Sequence, residues 1–166
     1  MKKRVEPIVL EFGRRIREAT EAEVANVWSR WGGLVVSVDR VFKPGDVKGL
    51  ILLSPENESL ALVTYAIEGD SAEIVSLDAL VAGEGYGRRL LSFAESRIKS
   101  KGIKRIRIFT TNDNYRALTL YLRNSYRLVR VHLDEMERVR AIKPCIPPTS
   151  EEGIPIRDLL ELEKII

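Results

Sequence analysis

The chain has one cysteine, one histidine and no glutamine among its 166 residues. The single cysteine, Cys145, excludes a disulfide within the chain, and the single histidine, His132, leaves few ligands for a transition metal. No apolar run approaches the roughly 18 residues of a membrane-spanning helix. A formal net charge of +3 is too small to indicate nucleic-acid binding without a localised basic patch. We therefore expect no metal, no membrane and no nucleic-acid partner, and the lone cysteine fits a reducing cytoplasm.

Two nucleotide-binding signatures are also missing. The phosphate-loop pattern G-x-x-x-x-G-K-[ST] is absent, and the dinucleotide pattern G-x-G-x-x-G fails because Arg88 stands at the third glycine. These absences argue against a phosphate-loop nucleotidase and a dinucleotide-dependent oxidoreductase. What remains is a chain with 45% hydrophobic residues, which is enough for one folded domain spanning residues 1–166.

Residues 73–98 combine a strand, a glycine-rich turn and an amphipathic helix. The strand is indicated by bulky or β-branched residues and the helix by apolar residues at helical spacing: Ile74, Val75, Leu77 and Leu80, then Leu90, Leu91, Phe93, Ala94 and Ile98. Glycines in the turn let backbone N–H groups point outward, and the helix N-terminus adds partial positive charge. With Arg88 and Arg89 alongside, the pattern predicts a diphosphate cradle; the alternative is a tight turn that needs glycine only for positive φ.

Two blocks of the sequence resemble the GNAT superfamily of acyl-CoA-dependent N-acetyltransferases. The first is Ala82-Gly83-Glu84-Gly85-Tyr86-Gly87, similar to the family's acyl-CoA motif [QR]-x-x-G-x-[GA], with Ala82 in place of the usual Gln or Arg and a loop about two residues shorter. The second block is a strand, a turn and a helix with matching positions at Asn112, Asn114, Ala117, Tyr121, Ser125 and Tyr126. The two blocks cover about the middle third of the chain.

The resemblance implies an α/β (α+β) GNAT fold. Its central mixed sheet is mostly antiparallel, has about six to seven strands, is splayed between the fourth and fifth strands, and is flanked by helices. Taken from its start, the sequence predicts a first strand within 8–19 and then a helix with a capping box at Thr20 and Glu23. The stretch 34–41 could be a strand or a loop. The next elements are strands at 49–54, 60–67 and 73–80, a helix from 85 to 102 and a strand at 104–111. They are followed by a helix at 114–126, a strand at 128–133, a segment of helical composition at 134–143 and a last strand at 158–166.

The resemblance also implies that acetyl-CoA lies along the splayed strand, with its diphosphate on the glycine turn. The implied cofactor contacts are Leu80, Val81, Ala82, Gly83, Glu84, Gly85, Tyr86, Gly87, Arg88, Arg89, Asn112, Asn114, Ala117 and Tyr121. An asparagine side chain can donate to and accept from the ligand, although Asn114 is also placed to cap the helix that begins there.

Tyr121 is the candidate acid for the departing thiolate, because the resemblance places a helix tyrosine near the thioester sulfur. Packing is the alternative role for Tyr121. Glu73 and Asp78 are candidate bases: Glu73 by resemblance to the histone-type branch, and Asp78 because it interrupts an apolar strand near the loop. Ordered water in place of either base stays open, as do an exposed strand position for Glu73 and local backbone bonds for Asp78.

The expected reaction is direct transfer of an acetyl or other short acyl group from acetyl-CoA to a primary amine, by a monomer or a homodimer. A non-catalytic acyl-CoA-binding module is the alternative. In this family the acceptor pocket is shaped by segments that correspond here to 28–46 and 134–158, so a small-molecule or peptide amine is the expected partner. The second segment is rich in carboxylates that could attract a cation, although such a run of charges is usually a solvated face. Trp28 and Trp31, on one stripe of the first helix, are predicted to pack in the core.

Overall fold

The computed structural model describes residues 6–38 and 40–166. The strands are β1 (Ile8–Val9), β2 (Arg15–Glu18), β3 (Val35–Val36), β4 (Val41–Phe42), β5 (Lys48–Leu53), β6 (Ser59–Glu68), β7 (Ser71–Ala79), β8 (Arg105–Thr111), β9 (Arg127–His132) and β10 (Leu159–Ile165). The helices are α1 (Glu21–Trp28), α2 (Tyr86–Lys99), α3 (Tyr115–Arg123) and α4 (Glu135–Ile142). Within the undecided stretch 34–41, Asp39 lies outside the described residues, and short strands flank it.

Eight of these strands form one mixed sheet in the order β1-β2-β5-β6-β7-β8-β10-β9. β7 and β8 are parallel, and the other neighbours in this sheet are antiparallel. Pairing of β7 with β8 covers only Ser71–Ile74 and Arg105–Ile108, although both strands continue further, so a gap opens beyond these residues. The mostly antiparallel, splayed sheet is therefore confirmed. It has more strands than expected because the two-residue β1 is too short to show any periodicity.

A β-bulge interrupts β7 before the gap. Thr64 pairs with Ser76 and Tyr65 with Ile74, which leaves Val75 without a partner on β6. Ile74 therefore packs on the same side as α2, whereas Val75 packs on the side of α1 and Ser76 bonds to that side as well. The bulge changes which face the following residues occupy, since successive side chains of a strand otherwise alternate.

Helices cover both faces of the sheet. α2 places Leu90, Leu91, Ala94 and Ile98 against β5, β6 and β7, and these four side chains are almost fully buried. α1 lies on the opposite face, where Trp28 packs against residues of β5, β6 and β7. A third apolar cluster joins α4 to the β3–β4 hairpin and the start of β10. The sheet, and with it the gap between β7 and β8, thus lies between the layer packed under α2 and the layer packed under α1.

The first turn of α1 is tied to β2 by Glu23. The Thr20 hydroxyl accepts from the Glu23 N–H, and the Glu23 carboxylate accepts from the Thr20 N–H at 2.8 Å and pairs with Arg17 at 2.7 Å. This confirms the predicted capping box. The hydrogen bond from the Arg17 guanidinium is the main reason that the pKa of Glu23 falls from 4.5 to about 2.

Glu23→Gln is expected to lower the free energy of unfolding at pH 7 by about 1 kcal/mol, a usual value for a helix cap whose partners are partly solvated. Because the folded-state pKa is the lower one, the stabilisation is present above pH 4.5 and is lost as the pH falls toward 2. Urea unfolding of both proteins at pH 7 and pH 3 measures this, and the difference should shrink at pH 3. Glu21→Gln removes the same charge from the same turn and is the control; an equal loss for both would contradict a specific role for Glu23.

Candidate functional site

The end of β7 leads directly into the glycine-rich turn at the gap. Residues 81–85 are exposed, and Gly83 and Gly85 adopt left-handed conformations with φ of 83° and 72°. A residue with a side chain is strained in that conformation. A Cβ built on either glycine meets no other atom within 4 Å. The glycines are therefore needed for the path of the backbone, and the space outside the turn is open to a ligand.

The first turn of α2 has the features of an anion-binding site. Its N-cap, Gly85, provides no side-chain hydrogen bond, and the Arg89 N–H donates to the Gly85 carbonyl at 3.1 Å. The N–H groups of the preceding helical residues have no acceptor within the helix, and the helix dipole adds partial positive charge there. Arg88 is exposed and Arg89 is half-buried beside them. This arrangement fits a diphosphate.

Tyr86, the first residue of α2, differs from its neighbours in the turn. The residue is only 9% exposed and its ring belongs to the core under α2, so the ring does not face the open space outside the turn. The guanidinium carbon of Arg14 lies 5.2 Å from the centre of the Tyr86 ring. Arg14 therefore adds a positive charge next to the turn. No local sequence motif around residue 14 predicts this position.

Tyr121 and Asp78 interact electrostatically although they belong to layers on opposite faces of the sheet. Tyr121, on α3, is 7% exposed, and its ring centre lies 5.8 Å from that of Tyr126. Burial, and to a smaller extent the Asp78 carboxylate, raise the pKa of the Tyr121 phenol. The phenol is therefore a protonated hydrogen-bond donor at neutral pH.

Two hydrogen bonds orient the carboxylate of Asp78. Trp31 Nε1 donates to Oδ1 at 3.0 Å, and Ser76 Oγ donates to Oδ2 at 2.9 Å. Ser76 in turn accepts from Trp28 Nε1 at 3.0 Å and lies 2.9 Å from Thr64 Oγ1. Burial raises the pKa of Asp78 in spite of these bonds, so this carboxylate is a stronger base than a solvated aspartate.

A cavity of about 220 Å³ lies on the α1 side of the gap. Apolar and aromatic side chains form most of its wall, among them Trp31, Val36, Val75, Phe109, Met136 and Leu159. Glu73 is 8% exposed and also lines the cavity. At Glu73 the strands β7 and β8 still pair, and Glu73 is in register with Arg107. The structure thus places Glu73 inside the cavity and Asp78 further along β7.

Two further polar groups in the cavity wall come from outside the main sheet. Ser37 is 1% exposed, and its hydroxyl makes no hydrogen bond to any residue within 6–38 and 40–166. Lys143, just after α4, donates to the Leu34 carbonyl at 3.0 Å, and its ammonium lies 4.3 Å from the centre of the Trp31 ring. Burial lowers the pKa of Lys143. A buried hydroxyl without a partner costs about 1–3 kcal/mol, so a ligand or water that pairs with Ser37 stabilises this wall.

The two asparagines of the second sequence block have distinct structural roles. Asn112 Oδ1 accepts from the N–H groups of Arg157 and Asp158 at 2.9 and 3.0 Å, and its Nδ2 donates to the Pro155 carbonyl at 2.9 Å. Asn112 therefore fixes the segment that enters β10. Asn114 caps α3 by accepting from the Ala117 N–H at 3.2 Å, as expected, and it also lines the cavity.

Both segments expected to shape the acceptor pocket do reach the cavity. For the carboxylates at 134–158, attraction of a cation and a solvated face were both open; among the described residues this segment contributes Lys143 to the cavity wall and none of those carboxylates, which agrees with a solvated face. Glu151 and Glu152 instead line a separate pocket beside Asn114. Trp28 is core, as predicted, whereas Trp31 also forms cavity wall. No sequence pattern singled out Ser37 or Lys143, because their positions depend on contacts with distant parts of the chain.

Comparison with known proteins agrees with this geometry. The model of the acetyltransferase (GNAT) family matches residues 9–126. The uncharacterised Bacillus subtilis protein YxbD is 38% identical over 136 residues, which cover 81% of this chain and 85% of that protein. YdhI of the same organism, also uncharacterised, is 33% identical over 137 residues, covering 82% and 86%. The chain belongs to the GNAT acetyltransferase family.

Solved structures share the fold at low sequence identity. An IAA acetyltransferase from Bacillus cereus superimposes with a TM-score of 0.73 at 14% identity, covering 92% of this chain and 99% of that one. A GNAT acetyltransferase from Elizabethkingia anophelis with acetyl-CoA bound gives 0.71 at 15% identity, covering 92% and 98%. A Bacillus subtilis acetyltransferase in complex with CoA gives 0.70 at 18% identity, covering 92% and 99%.

The described residues contain neither a candidate membrane-spanning helix nor a candidate metal cluster. None of their helices combines the length and the apolar character needed to cross a bilayer. None of their histidine, cysteine, aspartate and glutamate side chains gather in threes or more at a spacing suited to a metal ion.

Proposed function

We propose that this chain transfers an acetyl group from acetyl-CoA to a primary amine by direct attack. The observation that carries the proposal is the gap between β7 and β8, which leads into the uncapped N-terminus of α2 and has Asp78 and Tyr121 beside it. The CoA and acetyl-CoA present in two similarly folded acetyltransferases support the same assignment. We further propose that the whole chain is one GNAT domain that works in the cytoplasm.

The chain's residues divide into a binding set and a reacting set. Backbone N–H groups from Gly83 to Arg88 bind the diphosphate, with Arg88 and Arg89 adding charge, while backbone groups at Leu80–Ala82 bind the pantetheine arm. Acetyl-CoA supplies a thioester, whose carbonyl carbon is the site of attack by a neutral amine. The cavity beyond the gap holds the rest of the acceptor.

Asp78 is the base in this proposal and Tyr121 is the acid. Asp78 has a raised pKa and a fixed orientation, so it can take the proton that an ammonium must lose before attack. Tyr121 holds its proton at the phenolic oxygen, ready for the sulfur that leaves. Asp78 takes one proton from the ammonium before attack. The C–N bond then forms and the C–S bond breaks, Tyr121 gives its proton to the departing sulfur, and the second proton that the nitrogen loses restores the Tyr121 phenol. Glu73 lies deeper in the cavity and helps to attract the ammonium.

Calorimetric titration with acetyl-CoA, followed by a thiol-release assay against a panel of amines, tests the proposal. We expect one binding site per chain and CoA release that depends on the added amine. Binding without amine-dependent turnover would favour the non-catalytic module that Ala82, at the first motif position, suggests. The absence of binding to the folded protein would exclude both functions.

A further inference from the structure

The charges of the cavity wall are balanced and few. Among the described residues that line it, Glu73 and Lys143 are the charged ones, and the other lining side chains are apolar, aromatic or neutral. A polyamine or an aminoglycoside carries several positive charges and needs several carboxylates to offset their loss of water. The Lys143 ammonium would repel such a polycation. The wall therefore fits an acceptor with one amine and an apolar body.

The volume of the cavity also indicates a small acceptor. About 220 Å³ is below the usual range of roughly 300–1,000 Å³ for pockets that hold drug-sized ligands. A residue-sized group therefore fills this space, and most of an oligosaccharide would lie outside it.

Two donors in the wall indicate what else the acceptor carries. Lys143 is half-buried and bonds to the Leu34 carbonyl. The Asp78 carboxylate acts on its ammonium only at longer range, since within residues 6–38 and 40–166 Lys143 forms no salt bridge with a carboxylate. The buried Ser37 hydroxyl has no hydrogen-bond partner in that same part of the chain. A partly desolvated ammonium is stabilised by a negative charge brought to it, and a hydroxyl is stabilised by an acceptor atom. A carboxylate provides both a negative charge and several lone pairs.

We propose that the acceptor is a small zwitterionic amine, an amino acid with an aromatic or branched aliphatic side chain, and that Lys143 binds its carboxylate. The apolar side chain lies against Val36, Val75, Phe109 and Met136. The amine points toward Asp78 at the gap, and Glu73 lies further back in the cavity, where β7 and β8 still pair. This inference rests on the proposed acetyltransferase function and adds to it the substrate class and a specificity-determining residue.

Matched acceptor pairs that differ only in the carboxylate provide the test. The thiol-release assay is run with phenylalanine against phenethylamine, with leucine against 3-methylbutylamine, and with spermidine as the polycation. For the wild-type protein, kcat/KM should be about 30-fold higher for each amino acid than for its decarboxylated partner, since removing one member of a desolvated charge pair has an effect of this size. Spermidine should be the poorest acceptor.

Lys143→Met should remove that preference. Its kcat/KM for phenylalanine should fall about 30-fold, mainly through KM, while the value for phenethylamine stays level or rises. Lys143→Arg should keep part of the preference, because it keeps the charge. Lys101→Met, an exposed lysine beyond the end of α2, is the control for loss of one positive charge. Thermal unfolding and the calorimetric affinity for acetyl-CoA establish that each variant is folded.

The outcomes separate this inference from the function on which it rests. Turnover of the decarboxylated amines or of spermidine ahead of the amino acids would leave the acetyltransferase function standing and overturn the inference. An unchanged preference in Lys143→Met would also overturn it. Failure of the wild-type protein to bind acetyl-CoA would instead remove the proposed function itself, and the inference with it.

Discussion

Tyr121→Phe is expected to lower kcat by about 10²–10⁴-fold, the usual contribution of a positioned general acid or base. The substitution removes one oxygen from a side chain that is 7% exposed and leaves its ring in place against Tyr126. The affinity for acetyl-CoA should therefore change little. Because the pKa of Tyr121 is raised, the phenol stays protonated through the neutral range, and loss of its proton should not limit the rate there. Steady-state kinetics with the best amine, together with calorimetric binding, measure both quantities.

Tyr126→Phe is the matched control for this prediction. Tyr126 is a second buried tyrosine of the same cluster, and its hydroxyl donates to the Glu95 carboxylate at 2.9 Å. Losing that bond should cost about 1–3 kcal/mol of stability, as for other hydrogen bonds to charged groups, but should leave kcat near the wild-type value. If Tyr121→Phe kept full kcat, or if both variants lost activity equally, the assignment of Tyr121 as the acid would be wrong.

Gly85→Glu is expected to weaken acetyl-CoA binding by about 10²-fold or more. The new carboxylate would stand at the N-terminus of α2, where the diphosphate is expected to bind. Two unit charges of like sign about 5 Å apart repel by roughly 3 kcal/mol at an effective dielectric constant near 20, which corresponds to about 10²-fold in affinity. The loss should shrink at high salt because the site is exposed. Calorimetric titration at two ionic strengths provides the measurement.

The chain offers a close control for the backbone strain in Gly85→Glu. Gly102, just after α2, has a φ of 81°, and a Cβ built there also meets nothing within 4 Å. Gly102→Glu therefore introduces the same side chain into the same left-handed conformation at the opposite end of the helix, at a similar strain of about 1–2 kcal/mol. It should destabilise the fold to a similar extent and bind acetyl-CoA normally. Equal loss of binding in both variants would mean that strain, and not charge at the turn, is responsible.

Features that depend on a few neighbouring residues could be predicted from the sequence. The capping box at Thr20 and Glu23 and the cap at Asn114 occur where the local pattern puts them, and α2 ends at Lys99, shortly before the left-handed Gly102 expected at its end. The reason is that a cap is made by backbone groups and a side chain within one turn of each other. Element order follows for the same reason, with boundaries within a few residues of those expected.

Features of the site that depend on distant residues could not be predicted. Lys143 reaches the cavity through Leu34, 109 positions away in the chain, and Asp78 is oriented by Trp31, 47 positions away. The excess of carboxylates at 134–158 left both an acidic pocket and a solvated face open, because composition does not tell which side chains of a segment point inward. The fold class and the glycine-rich turn were therefore accessible from the sequence, whereas the polarity of the cavity was not.

The bulge at Val75 also bears on how this protein can change over evolutionary time. Upstream of it, Ile74 serves the packing of α2; downstream, Ser76 and Asp78 point to the other layer and meet Trp28 and Trp31. Substitutions at 76 and 78 can therefore alter reactivity without touching the hydrophobic layer under α2. Leu77, which lies between these two positions, packs on the α2 side, so a change of chemistry at this end of β7 is confined to the layer of Trp28 and Trp31.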